Sequence, residues 1–259
     1  MINSPHNAKV KLARALAGKP KERRENGAFL AEGARLLEDA LAAGWKFRFA
    51  LLAEDASPRA GQAAHRLSQA GVTVELVGGE VFASLAETAS SQGILAALEL
   101  PQPLFPSAPN FLILLDQIRD PGNLGTLLRA AAAVGTQAVI LPPETSDPFA
   151  PKVVRAAMGA HFRLPIFTLT WEEIRARLRG LKVFLAETEN ASPCWQADLR
   201  APLALVIGGE AEGASPQARA LADENLIIPM PGGMESLNAA MAGTVLMFEV
   251  LRQRQEKSR

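Results

Sequence analysis

LLDQIRDPGNLGTLLRAAAAVG, residues 114–135, decides how this chain is read. The continuous apolar run Phe111–Leu115 enters it, as expected of a strand buried on both faces of a parallel sheet. Asp120-Pro121-Gly122 makes a turn, and Asn123 is placed to cap the next helix. That helix, Leu124–Val134, carries Leu124, Leu127, Leu128 and Ala131 on one face. Arg129 lies more than one turn in. Alone, the stretch admits a plain reading: Asn123 as a cap and Arg129 as a solvated helix residue.

The same alternation continues downstream. Strands are expected at Ala138–Leu141, Leu181–Ala186, Leu203–Ile207 and Leu226–Ile228. Helices are expected at Pro151–Ala157, Trp171–Arg179, Pro216–Ala222 and Leu237–Arg254. Strands alternating with helices imply a parallel sheet with helices on both faces. Upstream, PQPLFPSAP (residues 101–109) has four prolines in nine residues and reads as an extended linker. It divides the chain into a domain over residues 1–100 and one over residues 110–259. The first also alternates: helices at residues 7–17, Ala34–Ala43 and Pro58–Gln69, and strands at Phe29–Ala31, Phe47–Leu52, Val72–Val77 and Gly93–Leu98.

Composition limits the function classes. Apolar residues make up 48% of 259 and charged residues 21%, a globular balance. Lys+Arg and Asp+Glu each number 27, so a polyanion would be met by a local patch rather than by net charge. The patch is at the start: Lys9, Lys11, Arg14, Lys21, Arg23 and Arg24 are candidate phosphate contacts. A single cysteine, Cys194, excludes an intrachain disulfide and suits a reducing compartment. The three histidines have no metal-ligand spacing, so no metal is expected. The apolar stretch Leu237–Phe248 is too short to span a bilayer, and no signal-peptide core is present, so the expected location is cytoplasmic.

Two further segments carry chemistry. In ALVIGGEAEGAS (residues 204–215) a strand delivers Gly208-Gly209 at its carboxyl end, where open α/β sheets bind ligands. Gly213, Ser215 and Pro216 then open a helix, with Ser215 as cap. Glu210 would repel a pyrophosphate, which favours a cationic or zwitterionic ligand with a ribose. In IIPMPGGMESLNAAMAGTVLMFE (residues 227–249) a Pro/Gly loop leads to Ser236, read as the cap of the last helix, and to Asn238 in its first turn.

In this order the three segments resemble the SpoU (TrmH-like) branch of the SPOUT methyltransferases. The first motif of that family matches Asn123 and Arg129, the second Gly208, Glu210 and Gly213, and the third Ser236-Leu237-Asn238. AFLAEGARLLEDAL and SQGILAAL resemble the ribosomal-protein-like RNA-binding domain of the family. In DPFAPKVVRAAMGAHFRLP (residues 147–165), Ala157 stands where many relatives have Ser.

The resemblance implies a trefoil-knotted α/β methyltransferase domain, a homodimer, and S-adenosylmethionine as methyl donor. Gly208, Gly213, Ile228 and Leu237, with Thr188, would hold the donor. Asn123, Arg129, Glu210, Ser236 and Asn238 would form the catalytic set. The implied reaction is methylation of a ribose 2′-hydroxyl in RNA, with ribosomal RNA preferred over transfer RNA. The alternative is a non-catalytic RNA-binding protein keeping the fold. Guanidinium stays protonated, so Arg129 is expected to stabilise developing negative charge rather than act as a literal base.

Overall fold

The computed structural model describes residues 1–86, 91–210 and 213–256. In chain order the elements are α1 (Ala8–Ala17), α2 (Pro20–Asn26), β1 (Ala28–Glu32), α3 (Ala34–Ala42), β2 (Phe47–Ala53), α4 (Pro58–Gln69), β3 (Val74–Val77), α5 (Gly79–Ala83), β4 (Ile94–Glu99), β5 (Phe111–Leu115), α6 (Pro121–Ala133), β6 (Ala138–Leu141), α7 (Pro151–Ala156), β7 (Ile166–Thr168), α8 (Trp171–Arg177), β8 (Lys182–Ala186), β9 (Ala191–Pro193), β10 (Leu203–Ile207), α9 (Pro216–Arg219), β11 (Glu224–Ile227) and α10 (Ala239–Glu256). A short 3-10 turn covers Ala160–Phe162.

The chain forms two compact units: Met1–Gln102 with Asp147–Phe162, and Pro103–Ser146 with Arg163–Arg259. The first has a sheet in the order β1-β4-β2-β3, with β2 and β3 parallel and the other pairs antiparallel. Strand alternation sends Phe29, Ala31, Ile94, Ala96 and Leu98 into one core and Ala28, Leu30, Leu95 and Ala97 into another. The first core is closed by α3, α4 and Val154 and Phe162. The sequence division had put residues 147–162 beyond the linker. Their burial here is driven by Phe149, Val154 and Phe162, which pack against Phe29 and Trp45.

In the second unit seven parallel strands run in the order β7-β6-β5-β10-β8-β11-β9. The central strands β5 and β10, FLILL and LALVI, are buried at every position. That explains their unbroken apolar runs. One face carries α8 and α9, through Ile174, Leu178 and Ala218. Across the other, α10 packs on α6, and Gly243 makes the close approach possible. A Cβ at Gly243 would lie 2.5 Å from Leu127 Cδ2 and 3.3 Å from Ile207 Cγ1. The far end of α10 is bolted down by side chains that read backbone. Gln253 accepts from Leu199 N–H at 2.9 Å, and Arg254 donates to the carbonyls of Leu199, Ala201 and Asn110 at 3.2, 2.8 and 3.1 Å.

Candidate active site

The carboxyl ends of β8, β10 and β11 and the start of α10 enclose a cavity of about 450 Å3. That is within the range of small-molecule sites. Ile207, Leu226, Ile228 and Leu246 give it apolar walls, while Gly208, Gly209 and Gly213 present backbone. Two of its described lining residues are ionisable, Glu187 and Glu210, and neither Lys nor Arg is among them. A smaller cavity, about 210 Å3 in the first unit beside Gly33 and Met158, contains none of the motif residues.

The loop at the end of β10 is set by contacts rather than by sequence alone. A Cβ on Gly208 would sit 2.5 Å from Ala214 N, and one on Gly209 2.5 Å from Gln117 O, so both glycines are needed for the close approach. Gly213 turns the chain at φ +68. Ser215 caps α9, accepting from Ala218 N–H at 3.2 Å, with Pro216 following as expected. The Ser215 N–H itself donates to Asp116 Oδ2 at 2.6 Å. Asp116 is fully buried. It stitches the end of β5 to the glycine loop, a function that its place in LLDQIR did not disclose.

Capping differs from expectation at two helices. Asp120, not Asn123, caps α6, accepting from Asn123 N–H at 2.8 Å. Pro121 takes the first helical position, which leaves Asp120 as the residue with extended backbone. Asn238, not Ser236, caps α10: its Oδ1 accepts from Ala240 N–H at 2.9 Å and Met241 N–H at 3.2 Å.

Those backbone donors fix the Asn238 amide, because only the oxygen can receive them. Its Nδ2 therefore donates to Asn123 Oδ1, at 3.1 Å. Asn123 then has one way to face, and its Nδ2 donates to Glu210 Oε1. An oriented line thus runs from the amino end of α10 through Asn238 and Asn123 to Glu210. It joins residues of all three motifs, and freeing Asn123 from capping is what makes it possible.

Of the other expected site residues, Thr188, Gly208, Gly213, Ile228, Ser236 and Leu237 line the cavity. Arg129 does not. It stands on the exposed face of α6, shared with Thr126 and Ala133, and forms no ion pair among the described residues. Glu187, which sequence reading passed over, lines the cavity and is held by Arg219 at 2.9 Å.

The basic residues of the first unit separate into two groups. Arg23 is 2% exposed, bonded to Asp147 Oδ2 at 2.7 Å and to the carbonyls of Leu16 and Gly18 at 2.6 and 2.9 Å. It is a structural pin, and its burial removes it from any phosphate contact. Lys9 is tied to Glu75 at 2.6 Å, and that ammonium holds the Glu75 carboxyl below its ordinary range. Lys11, Arg14, Lys21 and Arg24 are exposed. Among the described residues no cluster of His, Cys, Asp or Glu is arranged to hold a metal, and no helix is long and apolar enough to cross a membrane.

Comparison with known proteins agrees with this geometry. The model of the SpoU rRNA Methylase family matches residues 110–248. The chain belongs to the SpoU rRNA methylase family. A second model, the MRM3-like substrate binding domain, matches residues 7–96. Among SpoU relatives, the 23S rRNA (guanosine(2553)-2′-O)-methyltransferase RlmP of Bacillus subtilis is 32% identical over 96% of this chain and 98% of its own. An uncharacterised tRNA/rRNA methyltransferase of Synechocystis is 34% identical over 97% and 93%. The AdoMet-bound rRNA methyltransferase of Sinorhizobium meliloti superposes with a TM-score of 0.85 at 31% identity, covering 97% of both chains. The SpoU methyltransferase AviRb of Streptomyces viridochromogenes, in complex with AdoMet, gives 0.82 at 28% identity, covering 96% of this chain and all of the other. The SpoU match spans all three motif segments and the cavity they enclose.

Proposed function

We propose that this chain transfers a methyl group from S-adenosylmethionine to a ribose 2′-hydroxyl of ribosomal RNA. The carrying observation is the line Asn238–Asn123–Glu210 beside a cavity walled by two carboxylates and no described cation. Such a cavity suits a sulfonium ligand and disfavours a phosphorylated one. When bound, the donor supplies a methyl group on a cationic sulfur, so no metal is required. A 2′-hydroxyl is hardly ionised at neutral pH, and the protein must orient it and stabilise the charge it develops. Glu210, Ser236, Asn123 and Asn238 are assigned the orienting roles, and Gly208, Gly213, Ile228, Leu237 and Thr188 the donor contacts.

Arg129 is assigned the stabilising role, acting in the site of a second copy. Its exposed position on α6, without an ion pair among the described residues, supports that assignment. So does the neighbouring face of α10, where Met241, Val245 and Phe248 are 61%, 40% and 47% exposed at helical spacing. We therefore read the protein as a homodimer with the trefoil-knotted topology of its family, acting in the cytoplasm. Lys11, Arg14, Lys21 and Arg24 of the first unit are the remaining RNA-phosphate candidates.

The test is methyl transfer from labelled S-adenosylmethionine to ribosomal and transfer RNA, with 2′-O-methyl positions mapped. Label in rRNA ribose, lost in Arg129→Lys at unchanged RNA affinity, is the expected result. Label in tRNA alone refutes the substrate, label on bases refutes the ribose, and no transfer refutes the enzyme. Sedimentation equilibrium showing a monomer refutes the shared site.

A further inference from the structure

The two carboxylates of the cavity wall are compensated differently. Glu210 meets the neutral amide of Asn123 and forms no ion pair among the described residues. Glu187 is paired: its Oε2 accepts from Nε and a terminal nitrogen of Arg219 at 3.1 and 2.9 Å, and its Oε1 accepts from Thr188 N–H at 3.0 Å. The guanidinium offsets the charge of Glu187 but leaves part of its acceptor capacity open, since a carboxylate offers roughly four lone-pair sites. The Glu187 side chain is 19% exposed, with its partners fixing it against the wall rather than in solvent.

This difference sorts the parts of a nucleoside sulfonium between the two acids. A cation gains most beside the uncompensated Glu210, where Coulomb attraction is not already spent. A compensated carboxylate gains little from an ammonium and remains a good acceptor for neutral hydroxyls. Oε2 is filled by its two Arg219 donors, so the open site is on Oε1, and an acid beyond the carboxyl end of a parallel strand is a general solution for holding a ribose hydroxyl. Glu187 follows β8 directly, among the lining residues.

We infer that Glu187, held by Arg219 and Thr188, accepts a hydrogen bond from one hydroxyl of the methyl donor's ribose diol, through the site on Oε1 that those partners leave open. The inference rests on the donor-cavity reading of the proposed function. Arg219 is then a positioning residue, acting only through Glu187.

Calorimetry on the full chain tests it with S-adenosylmethionine, S-adenosylhomocysteine, 5′-methylthioadenosine and the 2′,3′-dideoxy form of 5′-methylthioadenosine. The wild type should bind the dideoxy compound about tenfold or more weakly than its parent, the size of a charge-assisted hydrogen bond. In Glu187→Ala the parent should weaken by a similar factor and the dideoxy compound should not, so the discrimination vanishes. Arg219→Ala should give an intermediate loss, again confined to ligands with the diol. The inference is overturned if Glu187→Ala keeps the discrimination, or if it weakens both compounds equally. Failure of the wild type to bind S-adenosylmethionine at all would instead remove the donor reading beneath it.

Discussion

Substituting Gly208 by Ala places a methyl group 2.5 Å from Ala214 N, 2.7 Å from Gly213 C and 2.9 Å from Ala214 Cα. All three are backbone atoms, so no rotamer change relieves the contact. Ordinary packing begins near 3.4 Å, and the loop must therefore open by roughly 3.4 − 2.5 = 0.9 Å. It is not free to do so. Gly209 N–H is bonded to Gly213 O at 3.1 Å, and Ser215 N–H to the buried Asp116 at 2.6 Å. An opening of that size stretches the first bond to about 4 Å, beyond hydrogen-bonding range. Overpacking and the lost bond together cost about 2–3 kcal/mol. For a chain of this length that lowers the melting temperature by about 4–12 °C. Donor affinity should fall at least about tenfold, because the displaced backbone is itself cavity wall. Gly232→Ala is the matched control, since a Cβ there meets nothing within 4 Å. Calorimetry with S-adenosylmethionine and thermal melting read both quantities. If Gly208→Ala melts and binds donor as Gly232→Ala does, the close-approach argument for this loop is wrong.

Two further outcomes follow from buried ionisable groups in the first unit. Arg23→Ala strands Asp147 and two carbonyls, and should cost about 3–5 kcal/mol by denaturant unfolding, whereas Arg24→Ala should cost almost nothing. Equal effects would show that Arg23 is not the pin described. His161 is buried with Nε2 on Pro148 O at 2.7 Å, and burial pushes its pKa down to about 4. The native state therefore binds fewer protons than the unfolded chain between about pH 4 and 6.5. Stability present at neutral pH is lost as pH falls through that window, by about 2 kcal/mol from pH 7 to pH 5. His161→Phe should remove this share of the acid sensitivity, and an unchanged stability–pH slope would exclude His161 as its source.

The strands β5 and β10 were legible because each is an unbroken apolar run between turn residues, and the structure buries every position of both. The cap of α9 was legible because Ser215-Pro216 leaves little choice. At α6 Asp120-Pro121 carries the same local signal as Ser215-Pro216, and it selects Asp120 over Asn123. At α10 Ser236 and Asn238 are both capable caps with no proline to choose between them. There Asn238 caps while its amide also bonds Asn123, a contact that exists only after folding. Arg23 looked like its neighbours Arg24 and Lys21 because a run of cations does not show which one points inward. Glu187 and Asp116 had no motif spacing, and their roles come from Arg219 and Ser215, distant in sequence.

The excursion of Asp147–Phe162 into the first unit has a consequence for synthesis. That unit cannot finish its core, nor Arg23 find its carboxylate, until the ribosome has passed residue 162. At roughly 5–20 residues per second, the stretch from residue 102 to 162 takes about 3–12 s. During that interval Phe29 and Trp45 lack their partners Phe149 and Phe162. The nascent amino-terminal half is thus left to wait, with an open apolar face, for a segment encoded inside the other half. Cutting the gene at the proline-rich linker would make that wait permanent.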